Sequence, residues 1–388
     1  MSVKGLHKII YPFAPDQSGA ASVLYELGGM VIIVDAGGCA GNVCGFDEPR
    51  WLGTKSAVFS AGLRDMDAIM GRDDLMIDKI AKASKKLDAK FIAIVGTPVP
   101  ATIATDYRAL KRMAEKRTGL PVIAMDTNGI AWYDEGIRKA YLELFRTFAP
   151  EGSEAAGGEQ PAGRDVIPGS VGVLGVTPLD TGMNDASAKI EDIMKTEGAA
   201  EVICYGAGKD LDVFRNADRM ERNIVIAPAG LAAARRLEER FGTPYECRDI
   251  LAADAWEAAC KKYAEESERD CGNGGNGING RADLTATLTG KRVLVIHQQI
   301  RANTIRDIIR SDLNDPEADI TVASWFMMDK SIKEDGDIKI KEESGFIDLV
   351  TNGGYDVIIA DGSFRKAARG SGSLFIDLPH FAVSGVLN

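Results

Sequence analysis

Residues 31–51 read VIIVDAGGCAGNVCGFDEPRW, an apolar run that passes into a glycine-rich segment with two cysteines. The run is β-branched and continuous, which is typical of a strand buried on both faces of a parallel sheet. Cys39 and Cys44 follow it, five residues apart, at the carboxyl end of the predicted strand. Because open α/β sheets bind their ligands at that end, this stretch indicates both a fold class and the position of a site.

Runs of the same kind recur along the chain with helical stretches between them, which predicts parallel sheets covered by helices. The predicted strands are Met30–Asp35, Phe91–Gly96, Val122–Asp126, Val171–Val176, Val202–Tyr205, Ile224–Ala227, Arg292–Ile296, Ile320–Ala323 and Asp356–Ala360. Glycine-rich composition marks 150–169 and 270–281 as linkers. We therefore predict an α/β protein of three tandem Rossmann-like units with parallel sheets flanked by helices. The units span residues 1–149, 170–269 and 282–388.

Composition narrows the class of function. The formal net charge is −11 and no block of basic residues is present, so the chain lacks the electrostatic pattern of a nucleic-acid-binding protein. The apolar runs are far shorter than the roughly 20 residues of a membrane-spanning helix, and no signal-peptide pattern is seen. We expect a cytoplasmic protein in which the six cysteines are free thiols or metal ligands.

The two cysteines of the 31–51 stretch have two possible roles. Thiolates are preferred ligands of iron and of iron–sulfur clusters, and nearby glycines such as Gly38 and Gly41 would let backbone N–H groups approach an anionic cofactor. Free cysteine is also among the most buried residue types, so both thiols could simply pack. The spacing C-x₄-C does not decide between these roles.

Part of this stretch and three further stretches resemble a known family. They are GGCAGNVCG in the cysteine segment, VFSAGLRDMDAIMGRDDLMIDKI (58–80), IVGTPVPATIATDYRAL (94–110) and GLPVIAMDTNG (119–129). Their order and spacing are similar to those of the nitrogenase component 1 family. That family includes nitrogenase subunits, protochlorophyllide reductase subunits and the nickel-sirohydrochlorin reductive cyclase. The resemblance covers nearly the whole chain and implies an iron–sulfur reductase.

The resemblance implies that Cys39 is a cluster ligand, and Cys44 lies close enough to serve as a second one. The chain departs from the family at other ligand positions. Pro98 stands where a further cysteine is usual, and upstream the only candidate donor is Asp16, for which an exposed turn is the alternative role. The second unit has no cysteine near Pro228, where a molybdenum-cofactor ligand would be, so we expect neither that cofactor nor nitrogen reduction.

Two candidate ligand cysteines in each chain, Cys39 and Cys44, suit a cluster that is shared between two copies of the chain. Family subunits pair about a two-fold axis, and such an interface presents the same residues twice, giving a Cys₄ set for one [4Fe–4S] cluster. We therefore predict a homodimer. The chain has no GxxxxGK[ST] motif, so the resemblance implies a separate ATP-dependent iron–sulfur reductase as electron donor. The substrate would be an unsaturated small molecule, with a tetrapyrrole as the first candidate.

The remaining candidates are histidines and one surface motif. His297 and His380 are candidate proton donors, with structural roles as the alternative. Arg50 and Trp51 have the composition of a partner-docking site, with a packed tryptophan as the alternative. Two other functions stay open: a non-catalytic metallocluster scaffold or carrier, and a metal-free α/β binding protein in which the cysteines only pack.

Overall fold

The computed structural model describes residues 8–53, 56–151, 165–208, 211–271 and 280–387. The strands are β1 Met30–Ile33, β2 Val58–Ser60, β3 Ile92–Val95, β4 Val122–Met125, β5 Ile167–Leu174, β6 Glu201–Cys204, β7 Met220–Val225, β8 Tyr245–Cys247, β9 Val293–Ile296, β10 Ile320–Ser324, β11 Ile338–Lys339, β12 Val357–Ala360 and β13 Leu374–Asp377.

The α-helices are α1 Asp16–Leu24, α2 Gly38–Asn42, α3 Asp65–Met70, α4 Asp73–Ser84, α5 Pro98–Thr102, α6 Tyr107–Thr118, α7 Tyr133–Phe148, α8 Pro178–Thr181, α9 Ala186–Thr196, α10 Asp212–Arg215, α11 Leu231–Phe241, α12 Ala252–Cys271, α13 Gly280–Leu288, α14 Gln299–Leu313, α15 Glu343–Asn352 and α16 Phe381–Ser384. A π-helix covers Val43–Asp47, and 3₁₀ helices cover Pro49–Leu52, Ala217–Arg219, Pro228–Gly230, Lys330–Ile332 and Gly362–Lys366.

The strands form three sheets, in the orders β2-β1-β3-β4, β6-β5-β7-β8 and β11-β10-β9-β12-β13. Neighbours are parallel, as in the pairings of β1 with β2 and β3 and of β9 with β10 and β12. The central strands are buried along their whole length because helices cover both faces. The predicted α/β class with parallel sheets is thus confirmed.

The chain forms two compact units. The larger unit comprises Ala14–Val225 and Ala229–Glu246, and contains the first two sheets. The smaller unit comprises Met1–Phe13, Ile226–Pro228 and Cys247–Asn388, and contains the third. The division into three units at 149, 170, 269 and 282 stays a prediction. The two proposed linkers fall largely on 152–164 and 272–279, which lie outside the described residues.

Helix α1 holds the larger unit together at the side of the cysteine segment. It packs on α7 with its backbone close to that of its neighbour: a Cβ atom added to Gly19 would lie 1.8 Å from the Tyr133 carbonyl oxygen. One added to Gly136 would lie 1.7 Å from the Asp16 carbonyl oxygen. The two glycines therefore permit a helix contact that no larger residue would allow.

Candidate iron–sulfur site

The cysteine segment is helical in the structure, which a glycine-rich sequence does not predict. Cys39 lies in α2, and Cys44 in the π-helix Val43–Asp47 that continues it. Gly37 precedes α2 with a φ of +118°, a conformation that favours glycine. π-helical turns are rare and often occur at functional sites. The segment thus presents its thiols from a short helix that follows β1.

Cys39 is half-buried beside the carboxyl ends of β1 and β3. Its side chain packs against a small cluster that includes Ala21, Ile33 and Val43. Burial raises the pKa of the thiol, and the nearby Asp35 carboxylate raises it further, while a hydrogen bond with Thr97 opposes both. Thr97 follows β3, so the Cys39 thiol lies near the carboxyl ends of two neighbouring strands. The role of Cys39 as a cluster ligand stays a prediction.

Asp35 fixes the start of the helix that carries Cys39. This carboxylate is 1% exposed. One of its oxygens accepts the backbone N–H of Ala40 at 2.7 Å, and the other accepts the Ser60 hydroxyl at 2.5 Å. Asp35 thereby ties α2 to β2. The sequence placed this aspartate at a strand end, where ligand-binding loops begin, but gave no sign of its two partners.

Cys44 has different surroundings. Burial raises the pKa of its thiol, and the Glu48 carboxylate adds to the shift. Its π-helix is held by Asp47, which accepts the Ser18 hydroxyl at 2.6 Å and the Asn42 side-chain N–H at 3.0 Å. Cys39 lies in the α-helical part of the segment and Cys44 in the π-helical part, so the α-helical advance of about 100° per residue does not by itself set the angle between the two side chains. The structure brings both thiols onto one segment but gives them separate neighbours.

Asp16 is buried rather than exposed, which corrects the expectation of an exposed turn. It is 0% exposed at the start of α1. Its carboxylate accepts the backbone N–H groups of Asn128, at 2.9 Å, and Gly129, at 2.7 Å. Burial raises the pKa of Asp16 while these N–H groups oppose the shift. Both oxygens already serve the loop after β4, so Asp16 contributes to that loop's structure.

Arg50 is also buried, so the prediction that it docks a partner at the surface is wrong. It is 5% exposed and donates from Nε and Nη2 to the two oxygens of Glu48, each at 2.7 Å, and from Nη1 to Glu26 at 3.0 Å. Its guanidinium lies over the Tyr25 ring at 4.8 Å, and Trp51 packs edge-on against the same ring. The ion pair anchors the chain just after the cysteine helices.

The glycines of the cysteine segment face open space. A Cβ atom added to Gly38, Gly41 or Gly45 would meet no atom within 4 Å. Packing within the chain therefore does not require glycine at these positions. The free space next to the thiols is compatible with a cofactor or a partner at close approach.

Several exposed apolar side chains lie in the cysteine segment and in the segments that follow the neighbouring strands. They lie in the segments that follow β1, β2, β3 and β4, at the carboxyl edge of the first sheet: Phe46, Leu52, Met66, Met70, Val99, Ile103 and Ile130. We call these seven residues the apolar rim. Phe46 is 75% exposed, Leu52 88% and Ile130 81%. Exposed apolar groups concentrated in one region mark an interaction surface.

The donor set fits half of a cluster site. Among the residues that the structure describes, no group of three or more histidine, cysteine, aspartate or glutamate side chains is placed to hold a metal ion. Cys39 and Cys44 are two partly exposed thiols with open space beside them. A Cys₄ cluster would therefore need a second pair of thiols from another chain.

The two candidate histidines lie together in the smaller unit. His297 follows β9 and His380 follows β13; both are 2% exposed, and their rings stack with centroids 4.1 Å apart at 14°. The Gln298 backbone N–H donates to Nδ1 of His297 at 2.8 Å, so Nε2 carries the proton and donates to the Pro379 carbonyl oxygen at 3.3 Å. The backbone N–H of His380 donates to Asp361. Stacking was not foreseeable from positions 83 residues apart.

His297 should make folding sensitive to acid. Burial, His380 and Arg301 hold its pKa well below 6.5. Its unfolded form takes up a proton below about pH 6.5, whereas the folded form does not, so this contribution to stability is present above that pH and is lost as pH falls. We expect the free energy of unfolding to fall by up to about 1.4 kcal/mol per pH unit below pH 6.5. Urea unfolding at pH 7 and at pH 5 measures this decrease. The free energy of unfolding of His297→Gln should depend less on pH than that of the wild-type protein, and an equal dependence would contradict the role given to His297.

No helix within the described ranges is both long enough and apolar enough to cross a membrane.

Comparisons with known proteins agree with the architecture. A structure titled "Nitrogenase Cp1 at pH 5" matches with a TM-score of 0.65 at 16% identity, over 99% of this chain and 86% of that one. Another, "Nitrogenase Cp1 at pH 6.5", matches with a TM-score of 0.63 at 12% identity, over 97% and 87%. These likenesses show the fold. No curated protein matches.

The family model described as "Nitrogenase component 1 type Oxidoreductase" matches residues 17–363, which include the cysteine segment, its carboxylate neighbours and His297, whereas His380 lies beyond the matched range. This match spans most of the chain. The chain belongs to the nitrogenase component 1 type oxidoreductase family.

Proposed function

We propose that this protein is a homodimeric reductase that binds one [4Fe–4S] cluster between its two copies, through Cys39 and Cys44 of each. The observation that carries this proposal is the pair of partly exposed thiols on one helical segment, whose glycines have no atom close to the position of an added Cβ. In another loop, Pro98 stands at the position where the resemblance implies a further ligand cysteine. The cluster would store and pass on single electrons. The chain's own residues hold it, orient it and shield it from water.

The second copy is the occupant that we assign to the apolar rim. The rim residues and the incomplete ligand set both follow strands of the first sheet, and a two-fold interface would supply the missing ligands while covering the exposed apolar groups. A different partner would cover the rim without completing a Cys₄ set. Cluster binding and dimerisation are therefore one proposal.

An ATP-dependent iron–sulfur reductase is proposed as the electron donor, since this sequence has no P-loop. The electrons would reduce an unsaturated small molecule, with a tetrapyrrole as the first candidate, in a cytoplasmic reaction other than nitrogen reduction and without a molybdenum cofactor. His297 and His380, whose rings stack on each other, are the proposed candidates for proton delivery. Candidate substrates added to protein, donor and ATP should reoxidise the cluster; lack of reoxidation by any tetrapyrrole would rule out that class.

A non-catalytic cluster carrier is the second candidate. It shares the exposed thiols, but its cluster would leave with a recipient protein instead of cycling. Visible absorbance distinguishes the two functions. Bleaching with donor and ATP, followed by recovery with retained iron, supports the reductase; loss of iron to a recipient supports the carrier.

Gly41→Ala tests whether the open space beside the thiols is used. Within the monomer the new methyl group meets nothing, and alanine favours the helix by about 0.5–1 kcal/mol over glycine, so the fold should be retained. A cluster or second copy close to Gly41 would be obstructed. We expect the metal-free monomer to unfold at or slightly above the wild-type temperature, while dimerisation is weakened and iron content is lower.

Ala40→Gly is the matched control for Gly41→Ala because it also changes one methyl group on the same helix, but removes it. It should leave dimer and iron content closer to wild type. Wild-type dimerisation and iron content in Gly41→Ala, measured by sedimentation and metal analysis, would show that nothing approaches this glycine.

A further inference from the structure

Among the residues that the structure describes, no cationic side chain pairs with the carboxylate of Asp35. This carboxylate is 1% exposed, and the groups that donate to it, the Ala40 backbone N–H and the Ser60 hydroxyl, are both neutral. Glu48, the acidic neighbour of Cys44, differs because Arg50 neutralises it through two hydrogen bonds. The two thiols thus have unequal electrostatic surroundings.

Asp35 also lies close enough to Cys39 to act on it. Its charge is the largest influence on the thiol after burial itself. Its hydrogen bond to Ala40, the residue after Cys39, sets the first turn of α2. Its second hydrogen bond reaches Ser60 at the end of β2, which pairs with β1. One side chain therefore both fixes the position of the cysteine and places a negative charge beside it.

We propose that Asp35 is a positioning residue for Cys39 that also lowers the reduction potential of the cluster held there. This inference rests on the proposed function. A [4Fe–4S] cluster held by four thiolates would be anionic, and its reduction would add one further negative charge, as an electron supplied by the donor. A fixed negative charge in a poorly solvated place disfavours that added charge, and net charge around a cluster is one of the determinants of its potential. Only a strongly reducing donor would then transfer its electron.

Asp35→Asn removes the negative charge of this side chain while keeping the hydrogen bonds that position Cys39. Asparagine has the same shape, and its oxygen can accept the Ala40 N–H while its amide faces the Ser60 oxygen, whose hydroxyl can rotate. We expect normal iron content and a reduction equilibrium shifted about tenfold toward the reduced cluster, a rise of about 59 mV for a one-electron couple. A redox titration monitored by electron paramagnetic resonance measures it on the full-length anaerobic protein.

Two further variants complete the test. Asp106→Asn is the matched control: Asp106 also accepts two backbone N–H groups, from Arg108 and Ala109, but is solvent-exposed, so its charge is screened and the potential should stay at the wild-type value. Asp35→Ala removes the hydrogen bonds as well as the charge. It should lower iron content relative to Asp35→Asn.

The outcomes are distinct. An Asp35→Asn protein that holds its cluster at the wild-type potential overturns the inference and leaves the proposed function intact. A folded Asp35→Asn protein without a cluster also overturns it, because the carboxylate would then be required for binding instead of tuning. A wild-type protein without iron overturns both this inference and the proposed function. A raised potential in Asp35→Asn together with an unchanged one in Asp106→Asn supports it.

Discussion

Cys39→Ser is expected to abolish iron binding by the anaerobically purified protein. Serine keeps the shape of the side chain but replaces the sulfur that iron prefers by a hydroxyl that remains protonated near neutral pH. The loss should exceed the roughly 10- to 100-fold decrease in metal affinity that follows removal of an outer-shell partner. In a shared site each substitution removes two ligands at once. Metal analysis and visible absorbance measure the change.

Cys247→Ser is the matched control because this partly exposed cysteine lies on β8, in another sheet. Its iron content should equal that of the wild-type protein. Cys44→Ser tests the weaker half of the ligand set, since Cys44 is not a usual family ligand. A cluster retained in Cys44→Ser would contradict the proposed Cys₄ set, and one retained in Cys39→Ser would contradict cluster binding at this segment altogether.

Gly19→Ala is expected to destabilise the larger unit strongly. The added Cβ atom would lie 1.8 Å from the Tyr133 carbonyl oxygen, and because that oxygen belongs to the backbone of α7, one of the two helices must move. Overpacking of this kind costs about 3 kcal/mol or more when the surroundings cannot yield. Denaturant unfolding measures the loss. Gly41→Ala, with no atom within 4 Å, serves as its control.

The same change should affect the candidate site. Helix α1 carries Ser18, which donates to Asp47, and it lies beside the cysteine helices. A shift of α1 would therefore disturb the π-helix that carries Cys44. A Gly19→Ala protein with wild-type stability would show that the α1–α7 contact is looser than described.

Within the described residues, the sequence predicted all seven central strands but only two of the six edge strands, β4 and β6. All nine predicted runs correspond to strands, because continuous burial between helices requires apolar residues throughout. The strands that were not predicted are β2, β8, β11 and β13, and each lies at the edge of its sheet. They are short, and those such as YEC and IK include charged residues. Edge strands need only one neighbour and half as much apolar surface, so their pattern is weak.

The sequence predicted the position of the candidate site but not its secondary structure. The strand-end rule located the cysteine segment, yet its glycines indicated a loop where the structure has α2 and a π-helix. Long-range hydrogen bonds to Asp35 and Asp47 offset the poor helix propensity of glycine, and no local pattern reports them. For the same reason Asp16 and Arg50, both polar, were predicted at the surface but are buried with partners distant in sequence.

Iron, acid-labile sulfide and molecular mass, determined together on the anaerobically purified wild-type protein, test the central claim most directly. A [4Fe–4S] cluster shared by two copies predicts a dimer with about two iron and about two sulfide per chain. The cluster and the dimer should be lost together on chelation. An iron-free protein would contradict the account, and so would a monomer that holds a full cluster of its own.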